Sequence, residues 1–357
     1  MSSEELKPSY KLRGTEVFPD GGMAEEKIPA IELNNTVEWV NPAFEGTLPF
    51  DLRVGESTRL ALFFDATNDR EPDFDLGVRR GHYRSGDVGK VFFNSNDGKT
   101  YRDLDLKGCG LLQKPPNPLE PEQWRQQRRS TYDYLGLLDK YDAMHDSTIS
   151  ELLNKEGVRT HRSIAVFRLH ELPVYGRGTE TIYKLEKNDL LREGIEPVIQ
   201  MRAFGTKTRL GEIGDQITMS NENAAVKIHD ALKLLSAEMK QGPLTIEEYL
   251  EWFARTLGQN VGLMHKLGYC HEYLNELNIT LDCRIVDFDS VRNVSTIKQE
   301  EAFLLLQHDK NLASTALETY KNVLDNLIPS EDSYRSTLGL LKAYDRSYLE
   351  SLHSKPV

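Results

Sequence analysis

Apolar positions fall at helical spacing most plainly between Thr245 and Gly268, where Ile246, Tyr249, Leu250, Phe253, Leu257, Val261 and Met264 share one face. Thr245 and Glu248 have the spacing of a capping box at the start of this helix, and Gly268 supplies the stop. Weaker helical patterns cover 122–140, 146–156, 222–240, 297–327 and 331–352. The first half follows a different period. Alternating, β-branched and aromatic runs predict strands at "KVFF" (90–93), "YRDLDLKG" (101–108), 163–169, 180–185 and 196–202, with Asp97-Gly98 turning a hairpin between the first two. Prolines break any regular element across "KPPNPLEPEQ" (114–123).

A sheet-rich first half followed by a helical second half predicts an α+β chain of two lobes with a cleft between them. Residues 1–70 are expected to form an extension packed on the body, 71–205 a β-rich N-lobe, and 206–357 a helical C-lobe. With 357 residues, 39% of them hydrophobic and 28% charged, the chain can bury a sizeable core. A formal charge of -12 argues against a general nucleic-acid surface, which needs clustered Lys and Arg. Cys109, Cys270 and Cys283 lack the paired spacing of a disulfide framework or zinc site, and no apolar run approaches a membrane span. These features lead us to expect a soluble cytoplasmic protein without membrane or nucleic-acid partners.

Four segments could carry phosphate chemistry. "GHYRSGDVGK" (81–90) places Gly81, Gly86 and Gly89 where backbone amides can approach phosphate oxygens, with Lys90 at the rim. Lys107 is the basic residue of the alternating strand "DLDLKGCG", where a kinase-type fold needs a lysine held by a helix acid; Asp146 and Glu151 are the two candidates for that acid. Arg202 ends a strand and Arg209 follows seven residues later, two guanidinium groups suited to phosphate oxygens, with Lys207 between them. Finally, "HEYLNELNITLDCRIVDFDS" (271–290) sets His271, Asn278 and Asp287 at the spacing of a kinase catalytic loop and magnesium aspartate, although Tyr273 occupies the place of the usual base. Each segment alone also reads as a plain turn, an edge lysine, a surface ion pair or a structural histidine. Their order along the chain is what favours a nucleotide site.

Together these residues resemble the selenoprotein O family, kinase-fold protein adenylyltransferases also called AMPylases, over roughly residues 80–290. "DLDLKGCG" resembles that family's "LKGAG" strand, "GVRTHRSIAV" its "GIPTTRAL" segment, "RAFGTKTRLGE" its "RVAxSxxRFGxF", and "HEYLNELNI…DFD" its "HGVxNTDNM…DYG". The resemblance implies a protein-kinase-like fold that binds ATP with Mg2+ or Mn2+ and transfers AMP to Ser, Thr or Tyr of a protein substrate, with self-modification a further outlet. By that resemblance Gly86, Asp87, Gly89 and Lys90 would line the nucleotide, and Lys107 would contact its phosphates. Arg202 and Arg209 would hold the terminal phosphates of an inverted ATP, and Asn278 with Asp287 would bind the metal. Asp146 falls on the family's helix glutamate in ungapped alignment, with Glu151 the alternative.

The family's proposed base is replaced by Leu277. A positioned base contributes about 10²–10⁴-fold, so its loss would slow a transfer that rests mainly on positioning and charge neutralisation. Glu272, Glu276 or Asp289 could stand in for it. A non-catalytic nucleotide-binding scaffold, and a kinase-fold phosphotransferase or glutamylase, are the rival expectations.

Overall fold

A computed structural model describes residues 26–44, 48, 50–64, 74–78, 84–94, 98–110, 136–174, 178–188, 191, 193–214, 219–328 and 336–354. Gly81, the connector 114–123 and most of the helix expected over 122–140 lie outside these residues. Strands β1 (Glu26–Glu32), β2 (Asn35–Val40), β3 (Leu62–Phe64), β4 (Phe74–Val78), β5 (Ser85–Asn94), β6 (Thr100–Lys107), β7 (Leu138–Asp139), β8 (Arg162–Leu169) and β11 (Pro197–Phe204) form one sheet. Its order is β2-β8-β11-β6-β5-β4-β1-β3 with β7 paired to β11, and all of its pairs are antiparallel. Only Leu33 and Asn34 separate β1 from β2, yet these strands stand far apart in that order. The sheet must therefore curl until its two ends approach, which encloses an apolar core containing Ile31, Phe64, Leu104, Leu106, Ile199 and Met201. The described part of the expected N-terminal extension thus contributes three strands to the sheet.

β6 and β11 decide what faces the cleft. Their register pairs Gln200 with Lys107, Arg202 with Asp105 and Phe204 with Asp103. Leu104, Leu106, Ile199, Met201 and Ala203 go into the apolar core, so the period of two puts Asp105, Lys107, Gln200 and Arg202 on the opposite face. A slip of one residue would invert both sets.

Helix α1 (Lys140–Lys155) packs against β8 and β11, with the Asp139 carboxylate accepting from the Tyr141 N–H at its start and Gly157 at φ 93° beyond its end. A short hairpin of β9 (Glu171–Val174) and β10 (Gly178–Thr181) follows β8. The strand expected over 180–185 is corrected here: β10 ends at Thr181, whose hydroxyl accepts from the Lys184 N–H and opens helix α2 (Ile182–Lys187). The Thr-Ile-Tyr run has strand propensity, but a local cap overrides it.

The remaining helices are α3 (Leu210–Gly214), α4 (Asn221–Glu238), α5 (Ile246–Lys266), α6 (Gln299–Leu327) and α7 (Thr337–Leu352), joined by a loop region that contains the two-residue strands β12 (Tyr269–Cys270) and β13 (Arg292–Asn293). Thr245 and Glu248 make both halves of the expected capping box of α5. The stripe from Tyr249 to Met264 is buried in a second apolar core with Leu235, Ala313, Leu317, Tyr320 and Tyr344. α5 and α7 approach closely at Gly258 and Gly262, where an added Cβ would stand 2.2 Å from the Tyr344 carbonyl oxygen and 2.4 Å from that of Tyr348. Among the described residues no helix is long and apolar enough to cross a membrane.

Buried ion pairs join the two cores. Arg102 of β6 donates to the Gly205 carbonyl at 2.8 Å and pairs with Asp230 of α4. Arg284 donates to the carbonyls of Thr160 (3.0 Å) and Thr100 (3.1 Å), and Arg159 pairs with Glu238 at the end of α4. Each of these arginines is at most 7% exposed, so the lobes meet through satisfied charges.

Candidate functional site

Three cations from separate segments meet on one carboxylate. Lys107, the last residue of β6, places Nζ 3.2 Å from Asp287 Oδ1. Arg202 of β11 brings Nη1 to 2.7 Å from the same oxygen, and Arg209 brings Nη2 to 2.7 Å from Oδ2. Arg209 reaches this point because its segment pairs with the loop: the Leu210 N–H donates to Ile279 at 2.9 Å, and the Leu281 N–H donates to Thr208 at 2.9 Å. A short hairpin follows Asn278, with Ile279 bridged to Ile285 and a turn at Cys283, φ 58°. Burial alone would push the Asp287 carboxyl up, but Arg209, Lys107 and Arg202 outweigh it and hold the group well below the ordinary carboxylate range.

Acids then bind the backs of these cations. Asp105 takes Nε and Nη2 of Arg202 at 3.0 and 2.8 Å and also Lys207 Nζ at 3.0 Å; Lys207 continues to Asp87 Oδ1 at 2.5 Å. Asp289 accepts from Lys107 at 3.0 Å and from Arg84 at 3.3 Å. A continuous run of alternating charge therefore follows the floor of the cleft from Asp87 to Arg84. Asp142, in the first turn of α1, has its carboxyl pushed up by burial and by the neighbouring negative charges of Asp289 and Asp139.

Neither helix acid expected to hold Lys107 makes a hydrogen bond to it. Asp146 is fully buried and accepts from His161 Nε2 (2.9 Å), Gln200 Nε2 (2.6 Å) and the Phe288 N–H (2.6 Å). Glu151 lies a turn further along α1 and binds Arg162 Nε at 2.6 Å. The physical reason is rotational: the face of α1 carrying Asp146 meets the Phe288 backbone, and Lys107 instead finds Asp287 and Asp289 in the loop.

Asn278 is half-buried beside this cluster. Its Nδ2 donates to the Tyr273 carbonyl at 2.8 Å, its backbone carbonyl accepts from Val286 N–H at 3.1 Å, and its Oδ1 accepts no hydrogen bond from the described residues. Gly86 lies in β5, packed so that an added Cβ would be 2.7 Å from Leu76 Cδ1, and Gly89 takes φ 128°. Lys90 belongs to β5 and its side chain is outside the described residues. Leu277 is 51% exposed, and its carbonyl accepts from Arg209. Of the three carboxylates that could replace a base there, Glu272 pairs with Arg292 and Asp289 with Lys107, while the Glu276 carboxylate has no partner among the described residues.

A divalent cation has two hard oxygen donors here, the open Oδ1 of Asn278 and the Asp287 carboxylate, and among the described residues no group of three or more His, Cys, Asp or Glu could hold a metal. Two oxygen donors are too few to cage a divalent cation by protein alone. Sequence reading missed Asp105 and His161 as members of the site. The period-two alternation of "DLDLK" already sets Asp105 and Lys107 on one face, whereas nothing local marks His161.

A curled antiparallel sheet, a helix packed on it, and a strand lysine meeting a loop aspartate between sheet and helical lobe define a protein-kinase-like fold. No protein-family model matches the chain, and no curated protein matches it. Among solved structures it is similar to a Toxoplasma gondii specific rhoptry antigen kinase domain, at 8% identity and a TM-score of 0.38, covering 99% of this chain and 87% of that one. It is also similar to ROP2 from Toxoplasma gondii, described as a virulence factor with a protein-kinase fold and no enzymatic activity, at 9% identity and a TM-score of 0.36, covering 92% and 82%. At these scores neither likeness says anything of activity in this chain.

Proposed function

We propose that the cleft binds ATP through its phosphates and transfers AMP to a hydroxyl side chain of a protein substrate. The observation that carries this reading is the meeting of Lys107, Arg202 and Arg209 on Asp287. Three cations set around one carboxylate can be handed to phosphate oxygens, and guanidinium groups suit that task by bidentate donation. In the transfer, the acceptor oxygen bonds to the α-phosphorus, the bond to the bridging oxygen breaks, and pyrophosphate leaves. Lys107, Arg202 and Arg209 neutralise the charge that develops on the phosphates, which is the main lever of such reactions. Mg2+ or Mn2+ held by Asn278 and Asp287 would add to that neutralisation. Glu276, its carboxylate free of partners among the described residues, would take the acceptor proton in the absence of an acid at 277.

Leu277 favours a second reading, a nucleotide-binding scaffold without turnover. ATP labelled at the α-phosphate, incubated with the protein alone and with a cell lysate, separates the two. Label on protein supports AMP transfer, label from γ-labelled ATP alone supports a phosphotransferase, and saturable binding without label supports the scaffold.

A further inference from the structure

Asp287 adopts a left-handed backbone conformation, φ 63° and ψ 63°. This conformation costs an L-residue about 1–2 kcal/mol and persists where surrounding contacts over-determine it. Its neighbours are pinned one by one. Ile285 donates its N–H to the Arg159 carbonyl at 2.9 Å and accepts from the His161 N–H at 3.2 Å. Val286 donates to the Asn278 carbonyl at 3.1 Å and accepts from His271 Nε2 at 2.8 Å. Phe288 donates to Asp146 Oδ1 at 2.6 Å, and its ring lies between those of His161 and His271, with centroids 5.3 and 5.8 Å away.

The Phe288 contact differs from the others in kind, because the acceptor is a side chain on α1 whose own aim must be fixed. Gln200 and His161 fix it, donating to Oδ2 from β11 and from the entry to β8. A carboxylate only accepts, so His161 carries its proton on Nε2; its Nδ1 is buried and has no hydrogen-bond partner among the described residues. Burial alone would raise the Asp146 carboxyl, but His161, Lys107 and Arg202 outweigh it and keep the group ionised as a triple acceptor.

We propose that Asp146, oriented by His161, is a positioning residue that holds Asp287 in its left-handed conformation by accepting the Phe288 N–H. Helix α1 thereby acts on the site through the backbone of the loop and not through Lys107. The consequence for nucleotide affinity rests on the reading above; the backbone hold does not.

Hydrogen exchange resolved at the Phe288 amide tests the hold directly, in the wild type, Asp146→Asn, His161→Gln and His161→Phe, alongside the Kd for ATP. Asp146→Asn should speed exchange at Phe288 at least tenfold while amides within Ile246–Lys266 keep their rates, and should weaken ATP binding at least tenfold. His161→Gln retains a side-chain N–H and should stay within twofold of wild type; His161→Phe keeps a ring without a donor and should behave like Asp146→Asn. Unchanged exchange at Phe288 in Asp146→Asn overturns the proposal, and equal behaviour of the two His161 variants overturns the part given to His161. If Asp146→Asn does not fold, His161→Phe decides. If the wild type binds no ATP while the exchange pattern holds, the nucleotide reading fails and the positioning role stands.

Discussion

Arg202 stands directly across the strand pair from Asp105, gives it two N–H groups at 3.0 and 2.8 Å, and turns its remaining nitrogen to Asp287 at 2.7 Å. One guanidinium thus ties the floor of the sheet to the loop of the helical lobe. Both Asp105 and Arg202 are fully buried, so the pair tolerates the loss of neither partner: an uncompensated charge would remain in the interior.

Asp105→Asn should therefore lower the unfolding free energy by about 3–5 kcal/mol, measured by urea denaturation at pH 7. The wild-type contribution also depends on pH. Burial raises the Asp105 carboxyl, but Arg202 and Lys207 outweigh it and the folded value is lowered, so its stabilisation is complete above the unfolded value near about 4 and is lost as pH falls below it. Acid unfolding curves should be less steep for Asp105→Asn than for the wild type.

Lys107→Met removes the ammonium shared by Asp287 and Asp289 while keeping most of the side chain's bulk. ATP binding followed by calorimetry should weaken at least tenfold, because a charge-assisted contact to phosphate is worth about 1.5–3 kcal/mol. Undiminished affinity would remove Lys107 from the phosphate site.

Leu277→Asp places an acid next to Asn278 at a position already 51% exposed, so the fold should accept it. Compared in a Glu276→Gln background, which removes the acid at 276, AMP transfer from α-labelled ATP should rise by about 10²–10⁴-fold, the usual contribution of a positioned base. A variant that binds ATP and still transfers nothing would favour the scaffold reading.

Gly258→Ala drives a methyl group against the Tyr344 backbone carbonyl, whose oxygen lies 2.2 Å from the point the new Cβ would occupy. α5 and α7 must then separate, at a cost of about 1–3 kcal/mol in thermal or urea unfolding. An unchanged midpoint would show that the two helices do not need this close approach.

Much of this arrangement could be read locally. The α5 stripe with its capping box, the antiparallel pairing of β5 with β6, and the alternation that sets Asp105 and Lys107 on one face follow from periods of 3.6 and 2. The switch from β10 to α2 escaped because the Thr181 cap competes with the strand propensity of the next two residues, and short segments give such contests no margin. The lysine's partner escaped for another reason. Asp146 and Glu151 are both acids on α1, and sequence spacing does not tell how a helix is rotated against its sheet.

The sequence by itself determined the order of sheet before helices, the faces of β6 and α5, and the spacing that makes Lys107, Arg202, Arg209, Asn278 and Asp287 candidates for one site. Those properties depend on the periodicity of the backbone over a few residues. Only the tertiary structure decided that Asp146 takes the Phe288 N–H, that Glu151 takes Arg162, and that Lys107 is shared between Asp287 and Asp289. Such choices depend on contacts between residues about 11 to 182 positions apart along the chain, where the winning pair is set by how whole elements pack and which buried charges can be satisfied at once.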